Sequence, residues 1–269
     1  MSEISITQAE FEQFRALMHQ AAGVDLPPQK ISLVSGRLAR RLRALELASF
    51  GEYHRLVSSA GARDEFERMV DLLTTHETYF FREPKHFDFL ADSVLPALGR
   101  TRTPRFWRAA SSSGEEAYSL AMVLADRLGG EAPWEVFGSD ISREVVEKAR
   151  GGVYTMNRID GIPPDYLRRY CLRGVGSRDG TLQVDEALRR RVRFAQVNLE
   201  GSLAGVGGFD VVVLRNVLVY FVLPTKRRIV ERIVRQMRPG GWLFIGHSES
   251  LNGLDLGLRQ ERPTIYRRM

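Results

Sequence analysis

FWRAASSSGEEAYSL, from Phe106 to Leu120, runs from a strand-like stretch through a turn of small residues into the start of a helix. In an open α/β sheet such a turn lies at the carboxyl end of a strand and borders the ligand cleft. This turn has a single glycine, Gly114, and two glutamates, Glu115 and Glu116, open the helix. A phosphate at a helix N-terminus is held by backbone N–H groups and a positive field. Two carboxylates at that point repel it. They also have a plain structural use, since acidic residues in a first turn stabilise a helix by roughly 0.3–1 kcal/mol each.

Outward from this stretch, strand and helix patterns alternate. WEVFGSD (134–140), RVRFAQVN (191–198), FDVVVLRN (209–216) and GGWLFIGH (240–247) read as strands, with helices at 143–152 and 225–237. Alternation of this kind predicts a mostly parallel sheet with helices on both faces. PTIYRRM (263–269) follows its predecessor closely, so the last two strands are expected to pair antiparallel at one edge. Pro84 is placed to start a helix. Residues 158–192 break the rhythm, with a short helix after Pro163 and Pro164 and a glycine-rich, hairpin-like loop, RGVGSRDG. They read as a small insertion. Residues 1–72 look all-helical instead. Thr7 and Glu10 fit a capping box, Phe11, Phe14, Leu17 and Met18 share a face, and Gly23 is a stop. In the next helix Ile31, Val34, Leu38, Leu42 and Leu45 form one stripe, and Lys30, Arg37, Arg40, Arg41 and Arg43 lie around the rest. The expected organisation is a helical domain over 1–72 and a sheet domain over 73–269.

The chain has 269 residues, enough for a real core, and a formal net charge of +6. The basic balance implies an acidic partner without saying whether it is nucleic acid, membrane or protein. Cys171 is the one cysteine, which excludes an internal disulfide and a thiolate zinc cluster. No secretory signal is visible and the apolar runs are strand-sized, so a soluble, cytoplasmic protein without membrane insertion is expected.

Strand ends carry the polar residues: Ser111 to Glu116, Asp140, Asn198, and Arg215 with Asn216. Asp140 suits the two hydroxyls of a ribose; its structural alternative is a cap or turn for the helix after Ser142. Arg215 either pairs with a carboxylate or faces the cleft, and its strand-end position favours the cleft. A ligand with an adenosine, no phosphate, an ammonium and a sulfonium fits this acidic set. S-adenosylmethionine is such a ligand.

TTHETYFFRE (74–83), SSSGEEAYS (111–119), GSDIS (138–142), VNL (197–199), LRNVLVYF (214–221) and PGGWLFIGHSES (239–250) occur in order. Together they resemble the chemotaxis-receptor methyltransferases, the CheR family of protein-glutamate O-methyltransferases, over nearly the whole chain. The resemblance implies an α/β fold: a Rossmann-like S-adenosylmethionine-dependent methyltransferase domain with a small inserted β-subdomain, preceded by an all-helical N-terminal domain. It implies methyl transfer to receptor glutamates, leaving S-adenosylhomocysteine. By motif position, His76, Thr78, Arg82, Glu115, Asp140, Asn198, Leu199, Arg215 and Asn216 border the cofactor, with Arg82 and Tyr220 nearest the transfer point. His76 departs from the family's usual Asn, and imidazole reproduces only part of an amide's hydrogen bonding. The implied partner is a helical, Glu- and Gln-rich receptor segment meeting the basic face of Arg37, Arg40, Arg41 and Arg43. The loop Arg173 to Gly180 resembles the β-subdomain loop that grips a receptor's C-terminal pentapeptide in some members; a plain flexible hairpin is the alternative.

The implied chemistry needs little machinery. A glutamate, pKa about 4.3, is already an anion near neutral pH, so no general base or metal is called for. In-line alignment can supply roughly 7–11 kcal/mol. Three other classes fit the sequence less well. A nucleic-acid methyltransferase lacks its Asn/Asp-Pro-Pro-aromatic loop here, where LRNVLVYF stands, and no aromatic cluster interleaves with the basic residues. A cofactor-binding sensor would need Asp140 and Glu115 but not Arg82 and Tyr220. A dinucleotide oxidoreductase lacks G-x-G-x-x-G.

Overall fold

Thr7 Oγ1 accepts from the Glu10 N–H at 3.3 Å while Glu10 Oε2 accepts from the Thr7 N–H at 2.8 Å. This reciprocal cap opens the first helix of a computed structural model that describes residues 4–99, 102–129 and 131–269. The chain divides into two units, Met1–Thr75 with Tyr220–Lys226, and His76–Val219 with Arg227–Met269.

In the first unit the helices are Gln8–Ala22, Ile31–Ala44, Phe50–Val57 and Arg63–Leu73. Gly23 ends the first with φ 70°, a left-handed conformation that glycine adopts without strain. Phe11, Phe14, Met18, Val34, Leu38, Leu42, Phe50, Tyr53, Met69 and Leu73 point inward and are buried. A later segment joins them: Asp25 donates its N–H to the Tyr220 carbonyl at 2.8 Å, and Val24 bridges Phe221 in antiparallel fashion. Tyr220 and Phe221 were expected in the sheet domain; their backbone groups are satisfied here instead.

Among its described residues the second unit has ten strands: β1 (Arg105–Ala109), β2 (Glu135–Asp140), β3 (Val153–Thr155), β4 (Cys171–Arg173), β5 (Thr181–Val184), β6 (Val192–Gln196), β7 (Phe209–Leu214), β8 (Met237–Ile245), β9 (Leu258–Arg262) and β10 (Ile265–Arg268). Seven pair in the order β6-β2-β1-β7-β8-β10-β9. The first five of that order run parallel, and β10 lies antiparallel to β8, as expected. β9, LRQER, was not expected; it extends the antiparallel edge. The three remaining strands form a small sheet, β3-β5-β4. It starts at Val153, ahead of the expected boundary at 158, because β3 pairs with β5. Its buried Tyr154, Leu182 and Val184 belong to the same core as the main sheet.

Register places the site. Ala109 lies opposite Ser139 and Leu214, Asp140 opposite Gln196, and Leu214 opposite Ile245. The carboxyl ends of neighbouring parallel strands are therefore level. Three non-glycine residues just beyond them, Ala110, Ser112 and Asn216, have φ of 55°, 49° and 59°. Such left-handed conformations are strained and cluster at functional sites. Among the described residues no helix is long and apolar enough to cross a membrane.

Gly138 shows how tightly β2 is packed. A Cβ there would lie 2.4 Å from the buried Phe194 ring. Gly138→Ala is expected to lower the unfolding free energy by about 1–3 kcal/mol, the usual penalty for overpacking. Urea denaturation checks this, and an unchanged midpoint contradicts it.

Candidate functional site

The two glutamates that open the helix Glu115–Leu128 are separated by their surroundings. Gly114, with φ 96°, turns the chain from β1 into this helix. Glu116 then points into the sheet side, where Arg108 on β1 and Arg215 beyond β7 both meet it. Arg108 Nη2 donates to Oε1 at 2.9 Å and Nε to Oε2 at 3.1 Å; Arg215 Nε donates to Oε2 at 2.9 Å, and its Nη2 also pairs with Oε2. Burial alone would push this carboxyl up, but the two guanidiniums hold it down at about 2. Arg215, 2% exposed, is thus the structural partner of a carboxylate. That corrects the reading of its side chain as a cleft contact. The cause is Glu116, 99 residues away in sequence, which offers a better partner than solvent.

Glu115 faces the other way. Ser113 Oγ donates to its Oε2 at 2.7 Å, and Arg158 Nη2 lies 2.6 Å from its Oε1. The side chain is fully buried, and burial pushes its pKa up. Its Oε1, Ser111 Oγ and Asn216 Oδ1 are buried atoms with no hydrogen-bond partner among the described residues. Each is at or just beyond the mouth of a parallel strand.

Asp140 ends β2. Its Oδ2 accepts from the Ser112 N–H at 2.8 Å and its Oδ1 from the Ser142 N–H at 3.1 Å. The helix Arg143–Gly151 is capped by Ser142, whose Oγ accepts from Val145, so the cap is not Asp140's task. Each Asp140 oxygen keeps a further lone pair, which suits a diol.

The segment before Pro84 lies along this turn. Ser112 Oγ donates to the His76 carbonyl at 2.8 Å. Thr78 Oγ1 reaches Glu116 Oε1 at 3.5 Å, and its carbonyl accepts from Arg158 at 2.9 Å. Arg82 folds back, donating to the Glu77 carbonyl at 3.2 Å with its guanidinium 5.4 Å from the Tyr79 ring centre. Asn198 Oδ1 accepts from the Glu200 N–H at 3.0 Å, and Leu199 is buried beside it. Asn216 donates its N–H to Glu249 Oε2 at 3.0 Å. Tyr220 belongs to the first unit.

Several residues were not singled out from the sequence. Glu249, in the HSES stretch, accepts N–H groups of Gly246, Asn216 and Leu218 at 2.6, 3.0 and 2.7 Å and so pins the loop after β7. Arg108 was hidden inside an apolar strand. Arg158 sits in the insertion, where no local pattern marks it. His86 stacks its contacts on Arg215: Nδ1 accepts from Arg215 Nη1 at 3.2 Å, which leaves Nε2 as donor to Thr264 Oγ1 at 2.9 Å.

The donor set fits S-adenosylmethionine. Its acidic groups suit positive charge and hydroxyls, and Ser111 Oγ and Asn216 Oδ1, buried without a hydrogen-bond partner among the described residues, suit a polar ligand.

Comparison with known proteins agrees with this geometry. Residues 76–266 match the model of the CheR methyltransferase, SAM binding domain, and residues 9–74 that of the CheR methyltransferase, all-alpha domain. The chain is 41% identical over 266 residues to a chemotaxis protein methyltransferase of Escherichia coli (strain K12), covering 98% of this chain and 92% of that one. It is 39% identical to the chemotaxis protein methyltransferase of Salmonella typhimurium over 98% of this chain and 91% of that one. With chemotaxis protein methyltransferase 2 of Pseudomonas aeruginosa it shares 40% identity over 98% and 94% of the two chains.

Burial, then the Arg215 and His247 charges, push the His86 imidazole down to about 3. Its folded value lies below its ordinary 6.5, so the stability it contributes is present above pH 6.5 and is lost as pH falls toward 3. In an NMR titration the His86 ring is expected to stay neutral through pH 5, in the tautomer protonated at Nε2. A midpoint near 6.5 contradicts the buried network.

Proposed function

This chain belongs to the CheR methyltransferase family and takes S-adenosylmethionine as its cofactor, and from that premise we propose that it esterifies glutamate side chains of chemoreceptors. The observation that carries the reading is the pair of carboxylates, Glu115 and Asp140, at the level mouths of β1 and β2. When bound, the cofactor supplies a methyl group on a sulfonium, which is already a good leaving group.

The protein's own residues then have positioning work to do. Asp140 holds the ribose hydroxyls while the backbone N–H groups of Ser112 and Ser142 keep its carboxylate oriented. Glu115 takes the ammonium end. His76, Thr78, Asn198, Leu199 and Asn216 line the remainder. The acceptor glutamate arrives ionised, since its pKa of about 4.3 lies far below neutral pH. No proton has to be removed, so the task is to hold the carboxylate in line with the methyl group and to exclude water. Arg82 is the group proposed to steer the incoming carboxylate. Tyr79 supports that role by keeping the Arg82 guanidinium near its ring.

The helical region 1–72 is proposed as the docking part and 73–269, with its 158–192 insertion, as the catalytic part, acting in the cytoplasm on the receptor's helical segment. The four arginines of the basic face divide in two. Arg37 donates to the Thr74 carbonyl at 2.8 Å and Arg41 pairs with Glu65, so these two hold the helices together. Arg40 and Arg43 are exposed and available to an acidic partner.

Incubation with methyl-labelled S-adenosylmethionine and receptor should give label on receptor protein that alkali releases, as a glutamyl ester requires. Alkali-stable label, or label on nucleic acid, contradicts the reading. Asp140→Asn is expected to weaken S-adenosylhomocysteine binding by about tenfold in calorimetry, the loss of one charged hydrogen bond; unaltered affinity removes Asp140 from the site. Reversing Arg40 and Arg43 to Glu should slow receptor methylation at low salt and leave cofactor affinity unchanged. Equal rates at low salt would rule out that docking face.

A further inference from the structure

Glu115 has two oxygens with different fates. Oε2 is held by Ser113 Oγ at 2.7 Å. Oε1 meets Arg158 Nη2 at 2.6 Å without the alignment of a hydrogen bond. The contact is charge against charge. Arg158 comes from the short turn Met156–Arg158 that follows β3, and the same Nη2 donates to the Thr78 carbonyl at 2.9 Å. Its side chain is 42% exposed, whereas that of Glu115 is wholly buried. Arg158 therefore caps a carboxylate that faces the proposed cofactor cleft.

A buried carboxylate without a counter-charge takes up a proton. Burial pushes Glu115 in that direction and Arg158 opposes it. The same oxygen that Arg158 occupies is the one left over for the ammonium of the cofactor. Two cations cannot share it at ion-pair distance without repelling each other. The half-exposed arginine can rehydrate its head while its stem stays packed.

Resting on the assignment of Glu115 to the cofactor's ammonium, we propose that Arg158 is a built-in competitor for Glu115 and is displaced from Oε1 when the cofactor binds. Arg158 then lowers the affinity for a ligand that brings a cation to Glu115 and leaves a ligand without one unaffected.

Calorimetry at about pH 8, well above an ordinary carboxyl pKa, with two ligands separates the outcomes. S-adenosylhomocysteine carries the ammonium; 5′-methylthioadenosine lacks the whole amino-acid end. Arg158→Gln is expected to tighten S-adenosylhomocysteine binding about twofold to fivefold, the range for removing a partly exposed ion pair. It should leave 5′-methylthioadenosine unchanged, and Arg158→Lys, which restores a cation, should behave as the parent protein. Unchanged S-adenosylhomocysteine affinity in Arg158→Gln overturns the proposal. Weaker affinity overturns it too, and would mean that Arg158 grips the ligand's carboxylate. Glu115→Gln serves as the control for the underlying site: if it does not weaken S-adenosylhomocysteine binding, the site assignment fails and the proposal fails with it; if it does, the Arg158 result stands alone.

Discussion

The Glu116 carboxylate, clamped between Arg108 and Arg215, ties three elements together: β1, the helix that follows it, and the loop beyond β7. All three groups are almost without solvent contact. Removing one partner of such a buried pair leaves an uncompensated charge, a loss of about 3–5 kcal/mol. With Glu116 committed to Arg108 and Arg215, Glu115 one residue earlier meets Ser113 and Arg158 instead. Paired glutamates at a helix start thus have different settings: Glu116 fastens the sheet, and Glu115 is the one proposed to offer charge to a ligand.

Strain at the strand mouths belongs to the same design. Ala110, Ser112 and Asn216 adopt left-handed backbone conformations that side chains disfavour. Each is held by a specific bond nearby: Ser111 donates its N–H to the Ser139 carbonyl at 2.7 Å, Ser112 donates to Asp140, and Asn216 donates to Glu249. Asp140 and Glu249 therefore act first as anchors of their own loops. An anchored carboxylate loses little freedom when a ligand binds, which favours affinity.

Much of this was legible in the sequence, and the reasons for the rest are physical. Alternation of apolar strands with helices, capped at Thr7 and stopped at Gly23, is local and leaves a periodic trace. That Asp140 ends a strand and Glu115 opens a helix was legible because strand ends and helix starts are local signals. The partner of Arg215 could not, because Glu116 lies 99 residues away and only the fold brings them together. β9 escaped notice because LRQER is polar and exposed at an edge, so it shows no apolar alternation. Tyr220 and Phe221 lie just past an apolar strand and look like its continuation, yet their backbone pairs with Val24 and Asp25. Arg158 is one arginine among many, and nothing in its neighbours announces that it covers a buried acid.

In the proposed site two strand-mouth carboxylates hold the cofactor. A crystal structure of the protein with S-adenosylhomocysteine tests it most directly. The ribose hydroxyls are expected within hydrogen-bond distance, about 2.6–3.2 Å, of the Asp140 carboxylate, with the ammonium end directed at Glu115. Ligand density lying elsewhere, or a ligand that leaves both carboxylates with protein contacts alone, would contradict it.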